Sequence, residues 1–555
     1  MKLQQLIVFL LCFVVSVGGK AQEEPPTNWP HLDAQTDGYP GMSTQKTYKE
    51  LLKGRQSQTV VVAVIDSGVD KDHEDLKSIM WVNEDEVPGN GIDDDNNGYI
   101  DDIHGWNFLG GKDGRNLAHE NIEMTRLYSK YKAKYDGKNV GDLNKAEKAE
   151  YQKIEEYGKV IEKKKEQFGP QAALYGATLE AFTALAEAIG KSPEKISLSD
   201  VKNLKSKDQM LGRVAEAVVG FIEQGQEFGA IYAEVEEAYN YYYEQVNYYY
   251  NPDFNPRSIV GDNINDPYEQ FYGNNDVKGP DAEHGTHVAG IIGAVRNNDI
   301  GMDGVADNIR IMSVRTVPSG DERDKDVANA IRYAVDNGAQ VINMSFGKGE
   351  SPYKEVVDEA VKYALKHDVL LVHGSGNDAS EVTFDNNFPN DRFAKRGLFG
   401  PKNAKNWLEV GASTFTADKS LVAAFSNYSP TNVDVFAPGV EIYSTVPGDK
   451  YKNHQGTSMA SPLVAGMAAL LRSYFPSLTA VQVKSIIMES TTPQKGRYIN
   501  PETGEMVPFT DMCLTGGIVN TYKAVQMAMT TKGKKKFAGF GSSGKKEKKG
   551  NKERA

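Results

Sequence analysis

Thr59-Val60-Val61-Val62-Ala63-Val64-Ile65-Asp66 is a run of β-branched and apolar residues that ends on a carboxylate. A run without polar alternation suits a strand covered on both faces, as inside a parallel sheet. The same texture returns at residues 311–317, 341–346, 369–373 and 408–412, with helical spacing between several of them, as at residues 327–337 and 353–367. This alternation predicts an α/β fold, a three-layer, doubly wound, mostly parallel sheet. Functional groups in such sheets collect beyond the carboxyl ends of the strands, where Asp66 and Ser345 both fall.

From residue 111 to residue 280 the texture changes to Lys, Glu, Ala and Tyr, with strand-like runs absent. It predicts a large helical subdomain inserted into the α/β domain, which then occupies residues 56–110 and 281–530. Residues 172–189 and 210–243 carry apolar positions three and four apart, as in Leu211, Val214, Val218 and Ile222, which marks one buried helix face. The tyrosines at 239, 241–243 and 248–250 are expected to pack, since a tyrosine needs only an apolar bed and one polar partner; a binding surface is the rarer use.

The chain has 555 residues, 39% of them hydrophobic, enough for a large core. Its net charge of -13 argues against a nucleic-acid surface over most of its length, because phosphate contacts need clustered Lys and Arg. Residues 1–21 combine Met1-Lys2, an apolar run at 6–17 and the small-residue end Gly19-Lys20-Ala21, the pattern of a cleaved signal peptide. The run is too short to span a bilayer of ~30 Å, so the reading is export, to an extracellular, periplasmic or cell-surface address, with no integral span in the mature chain. Cleavage would remove Cys12 and leave Cys513 without an internal partner, which makes a bound metal ion the staple to look for. Residues 22–55 form an N-terminal segment, and residues 531–555 a basic tail expected to be disordered.

Three short motifs carry the chemistry, and each has an ordinary explanation when taken alone. Asp66 closes a buried strand, where a carboxylate is costly unless hydrogen-bonded. His284 opens His284-Gly285-Thr286-His287-Val288-Ala289-Gly290, a stretch that predicts a buried helix; no Glu follows it as a zinc-hydrolase helix requires, and no third metal ligand is signalled. Ser458, in Gly456-Thr457-Ser458-Met459-Ala460-Ser461-Pro462, starts another apolar helix, whose N–H groups and dipole favour a developing negative charge.

The order Asp, His, Ser in these surroundings resembles the subtilisin-like (subtilase) serine peptidases, whose order of triad residues is known. The resemblance covers residues 56–110 and 281–530, including Phe475-Pro476-Ser477-Leu478-Thr479 and Gly517-Ile518-Val519-Asn520. It implies a secreted endopeptidase acting on polypeptides through an acyl-enzyme, with Ser458 as nucleophile, His284 as general base and then acid, and Asp66 as the group that orients the imidazole. Gly374-Ser375-Gly376-Asn377 resembles the family segment that supplies an oxyanion donor, which assigns Asn377 that role. Asn343-Met344-Ser345-Phe346-Gly347 resembles the strand that pairs with substrate backbone, so Ser345, Phe346, Gly347 and Gly376 are implied to be substrate-binding. A non-catalytic scaffold that kept the fold is the rival reading; an esterase is disfavoured because Ser458 lacks the Gly-x-Ser-x-Gly elbow.

Asp93-Asp94-Asp95-Asn96-Asn97-Gly98-Tyr99-Ile100-Asp101-Asp102 places oxygen ligands at Asp93, Asp95, Asn97, Tyr99 and Asp101 around a glycine, the spacing of a calcium loop. Position twelve is His104 where the full pattern has Glu, which leaves room for ligands from elsewhere, Asp102 among them. Structural Ca2+ is therefore expected, and family resemblance adds to it. The helical insertion separates Asp66 from His284 and is expected to sit beside the cleft, as a restriction on access or a partner surface. The N-terminal segment is short for a folded propeptide.

Overall fold

The structure, a computed structural model, describes residues 24–395 and 400–535. The leader at 1–21 and the part of the basic tail beyond 535 fall outside the described residues.

The β-branched run forms β1 (Val60–Asp66), and its alternate side chains serve two different cores. Val60, Val62 and Val64 pack on one face with Val288, Ile292, Leu463 and Val464; Ala63 and Ile65 pack on the other with Val327, Ile331, Val357 and Val361. The period of two along a strand puts neighbours on opposite faces, so a run apolar at every position must be covered twice. Around it lie β2 (Gly105–Asn107), β3 (Ile309–Arg315), β4 (Val341–Met344), β5 (Leu370–Gly374), β6 (Trp407–Ser413) and β7 (Val435–Pro438). Outside the sheet, β8 (Ile442–Val446) and β9 (Lys450–His454) form a hairpin, and β11 (Arg497–Ile499) pairs with β12 (Met506–Pro508). With β10 (Thr492–Pro493) and β13 (Gly517–Ile518), the nine-stranded sheet runs β10-β13-β7-β6-β5-β4-β1-β3-β2, parallel except at β10. The expected three-layer α/β architecture is what the chain adopts.

Twelve α-helices accompany the sheet among the described residues. After the single turn α1 (Thr44–Thr47), α2 (Glu123–Tyr135), α3 (Lys145–Ile189), α4 (Leu198–Lys202), α5 (Gln209–Glu223) and α6 (Phe228–Glu244) make up the helical lobe. The lobe has its own core of Phe182, Leu185, Val214, Val218, Phe221, Phe228 and Ile231. Helix α3 starts well before the stretch where its apolar face is evident, at a capping box formed by Asn144 and Glu147. Its 45 residues extend about 68 Å at 1.5 Å per residue. The periodic stretch at 210–243 breaks in two because Gly225, at φ +92°, ends α5 in a left-handed turn. Most of the tyrosines pack: Tyr242 stacks on Tyr175, Tyr248 on His119, and the Tyr249 hydroxyl meets Ser319 Oγ, while Tyr241 stays exposed. Residues 251–280 carry no α-helix and lie on the α/β body, where Arg257 pairs with buried Asp262 and Asp326.

On the α/β body, α7 (Glu283–Gly293), α10 (Thr457–Tyr474), α11 (Ala480–Glu489) and α12 (Thr521–Thr530) cover one sheet face; α8 (Asp324–Asp336) and α9 (Lys354–Lys366) cover the other. Trp29, Met42 and Leu52 of the N-terminal segment share the core of the first face. Cys513 is free and buried. No helix among the described residues is long and apolar enough to cross a membrane.

Candidate active site

Sheet register brings three of the distant motifs together, those at Asp66, Ser345 and 374–377. Ile65 of β1 pairs with Met344 of β4, so Asp66 and Ser345 leave adjacent parallel strands side by side. Met344 also pairs with His373 of β5, which sets the loop at 374–377 beside them. Helix α7 reaches this edge through Gly285: a Cβ there would lie 2.2 Å from the Gly68 carbonyl and 3.1 Å from Asp66 Cβ, so only glycine permits the approach. One residue earlier, His284 Nδ1 donates to Asp66 Oδ1 at 2.7 Å, and the same oxygen accepts the Ser67 N–H at 2.7 Å. Asp66 is buried while His284 is half-exposed. Burial alone would lower the His284 pKa; the charge and hydrogen bond of Asp66, with Asp281 behind them, outweigh it and hold the imidazole above its ordinary value.

Ser458 lies in the first turn of α10, a helix buried nearly all round. Pro462 lacks the N–H that would bond the Ser458 carbonyl, and the Ser345 hydroxyl takes that carbonyl instead, at 2.9 Å. In return the Ser458 hydroxyl donates to the Ser345 carbonyl at 3.2 Å. The nucleophile expected from the sequence is thus tied to the strand expected to bind substrate.

Asn377 caps the same helix from outside. Its Oδ1 accepts the Thr457 N–H at 2.9 Å and the Thr457 hydroxyl at 3.1 Å. Only the oxygen of an amide can accept from a backbone N–H, so the Asn377 NH2 is the end turned away from Thr457, and it donates to none of the described residues. Gly376 N–H donates to Thr457 Oγ1 at 3.0 Å, and at φ +100° Gly376 takes a backbone conformation that suits glycine. Phe346 is half-buried and Gly347 exposed, beyond the buried Ser345.

The acidic loop folds differently from its spacing. The Asp93 carboxylate accepts the N–H groups of Asn97 and Gly98, and that of Asp101 accepts those of Gly89, Asn90 and Gly91. Tyr99 is buried among Trp106, Phe108 and Tyr333, and Asn97 bridges Asp95 and Asp102 through its Nδ2. Of the five residues expected as ligands, Asp95 alone joins the carboxylate cluster of the described residues, in which Glu86, Asp95 and Asp102 bring oxygens within 4.8 Å of one another. Glu86 lies outside the repeating pattern, which is why spacing missed it. Burial raises the Asp102 pKa to about 6, against hydrogen bonds from Tyr333, Asn83 and Asn97, with the Asp95 charge adding to the rise.

Two further features escaped the motifs. Lys348, one residue past Gly347, is buried with its Nζ 2.9 Å from Glu123 of α2, 2.9 Å from Asp324 and 2.8 Å from the Glu322 carbonyl. Arg126 of α2 binds Glu123 at 2.6 Å and the Asp321 carbonyl at 2.8 Å, so the helical lobe is pinned to both loops that flank the site. His373 and Glu409 form a buried pair beneath Phe346. Their signal was in the sequence: each is a titratable residue inside a run otherwise fit for a buried strand.

A family model described as the subtilase family matches residues 57–505. The thermophilic serine proteinase of Bacillus sp. (strain AK1) is 36% identical over 279 residues, 50% of this chain and 59% of that protein. Alkaline elastase YaB of Bacillus sp. (strain YaB) is 37% identical over 211 residues, 38% of this chain and 50% of that protein. Subtilisin Savinase of Lederbergia lenta is 36% identical over 211 residues, covering 38% and 70%. The chain thus spans between half and three fifths of the length of the first two relatives. Because the model takes in most of the sequence, from before β1 to beyond α11, the chain belongs to the subtilase family.

Proposed function

We propose that this chain is a secreted serine endopeptidase that cleaves polypeptides through an acyl-enzyme on Ser458. The observation that carries the reading is the hydrogen bond from His284 Nδ1 to buried Asp66 at 2.7 Å, because it leaves Nε2 as the free base. Turning the Ser458 hydroxyl from the Ser345 carbonyl toward that nitrogen lets His284 accept its proton as Oγ attacks the scissile carbonyl. Asp66 stabilises the imidazolium formed, and His284 then protonates the leaving amine. The oxyanion forms at the N-terminus of α10, where backbone N–H groups and the uncommitted Asn377 NH2 stabilise it. An extended substrate pairs with the edge at Ser345, Phe346 and Gly347, with Gly376 opposite.

The Glu86, Asp95 and Asp102 group fits a structural Ca2+: a hard cation takes clustered carboxylate oxygens, and the side chains of Asn83 and Asn97 hold Asp95 and Asp102 in place through their NH2 groups. The ion would neutralise three adjacent acids and staple the loop to Tyr333 of α8, whose hydroxyl donates to Asp102 at 2.6 Å. The lobe's anchorage at Lys348 supports a role in restricting access for folded substrates. The leader at 1–21 supports export.

A fluorophosphonate probe tests the reading. It should label wild type and leave Ser458→Ala unlabelled, while mass spectrometry of a digested denatured mixture finds cuts with wild type only. A wild type that neither labels nor cuts, with or without calcium, would establish the scaffold reading instead.

A further inference from the structure

His373 lies near the end of β5 and Glu409 in β6, both buried, with Asn387 beside the pair and Asp434 bonded to the Glu409 N–H. The catalytic reading uses neither. His373 Nδ1 lies 3.0 Å and 3.1 Å from the two Glu409 oxygens, and its Nε2 lies 2.6 Å from the Phe346 carbonyl. Glu409 also accepts Trp407 Nε1–H at 2.7 Å and Asn387 Nδ2–H at 3.2 Å.

The proton count follows from these distances. A carbonyl oxygen only accepts, so Nε2 must carry hydrogen. Two fixed N–H donors already point at Glu409, which makes it an acceptor and obliges Nδ1 to share a proton with it. Whether that proton rests on nitrogen or on oxygen, the pair is neutral overall and Nε2–H stays on Phe346. Burial would lower the His373 pKa; the Glu409 charge and hydrogen bond, and then the Phe346 carbonyl, reverse the direction and raise it. Remove the carboxylate and the imidazole is free to put its single proton on Nδ1, turning a lone pair toward the Phe346 oxygen.

We infer that His373 and Glu409 are a buried positioning pair that keeps the Phe346 carbonyl turned inward, so that Ser345 and Gly347 present their backbone groups to an extended substrate. In an extended strand consecutive residues direct their N–H and C=O groups to opposite edges. The Phe346 carbonyl reaches His373 of β5 at 2.6 Å, so Phe346 faces the β5 side and its neighbours Ser345 and Gly347 face the opposite, open edge. Ser345 is the residue whose carbonyl accepts the Ser458 hydroxyl, so the edge held in this way begins at the nucleophile. A Cβ on Gly347 would lie 3.1 Å from Asn387 Oδ1, and Asn387 itself hangs on Glu409, so one network sets the strand and the residue beneath it. The pair does for the substrate strand what Asp66 does for His284: a buried carboxylate fixes the imidazole tautomer.

This inference rests on the peptidase reading, and the experiment separates the two. Glu409→Gln and His373→Gln are assayed in the full chain with a tetrapeptide amide, and with a fluorophosphonate that needs the nucleophile but no strand pairing. For both variants the tetrapeptide KM should rise about tenfold with kcat within about threefold, and the labelling rate should stay within about threefold. An unchanged KM overturns the proposal, and so does a parallel fall in labelling and peptide cleavage, which would place the effect on the nucleophile or the fold. Should a variant not fold, ¹⁵N-histidine NMR of wild type decides: the His373 Nε2 must carry a proton from pH 5 to pH 9, and a lone-pair shift there refutes the pair. A wild type that fails to label refutes the peptidase reading, while the NMR result still judges the pair.

Discussion

Asp66→Asn tests the reasoning about the site most directly. The carboxylate and the imidazolium formed in catalysis attract by about 4 kcal/mol at ~4 Å and an effective dielectric of ~20. The His284 side chain is 41% exposed, so solvent screening reduces this to about 1–2 kcal/mol, or roughly 5- to 30-fold in rate. Asparagine also has no comfortable placement. With its oxygen at the Oδ1 position it satisfies Ser67 N–H and His284 but leaves an NH2 where Asp66 Oδ2 is buried without a partner; reversed, it faces two N–H donors. The orienting acceptor is therefore weakened together with the charge, and the total loss in kcat should be about 10³–10⁴. The pH dependence has a definite sign. Because the His284 pKa is raised, imidazolium persists to higher pH, and the active neutral base accumulates only as pH climbs through that value. Without the carboxylate, burial dominates, the pKa falls, and the acid limb of kcat/KM moves to lower pH. Initial rates on a peptide amide between pH 5 and pH 10 read both effects. A loss below tenfold, or a limb that stays in place or moves to higher pH, would refute the assignment of Asp66.

Asn377→Ala should lower kcat by about 10²–10³ with KM little changed, because its NH2 acts on charge that develops only in the transition state; equal loss in KM would assign it to ground-state binding. Calcium at one hundred times its Kd should stabilise wild type by about 2.7 kcal/mol, seen as a rise in Tm of a few degrees. Asp95→Asn should abolish that rise while Asp93→Asn keeps it, and loss of the rise in both variants would restore the ligand set that spacing suggested. Lys348→Met leaves Asp324 buried without its cation and Glu123 with Arg126 alone, and should cost about 3–5 kcal/mol in urea unfolding, with faster proteolytic nicking at the root of α2. An unaltered nicking rate would show that the lobe is anchored elsewhere.

What was legible in the sequence was local. A strand buried on both faces must be apolar at every position, and β1 announces itself for that reason; α10 does the same as a helix buried all round. Gly285 and Pro462 are visible as letters, but their roles, a close approach to Gly68 and a carbonyl left for Ser345, exist only between elements. The acidic loop shows the limit most clearly. Its period proposed Asp93 and Asp101 together with Asp95, yet the oxygens that the fold gathers are those of Asp95, Asp102 and Glu86, which arrives from outside the period.

The sequence by itself determined the α/β class, the helical character of the insertion and the three motifs at the heart of the site, because strand period, helix period and local chemistry are written in neighbouring residues. Only the tertiary structure decided which carboxylates meet, where the lobe is anchored and that His373 lies against Glu409. Those outcomes depend on strand order and register: β5 lies between β4 and β6, and that adjacency sets a histidine of one strand against a glutamate of the next and beneath the carbonyl of a third.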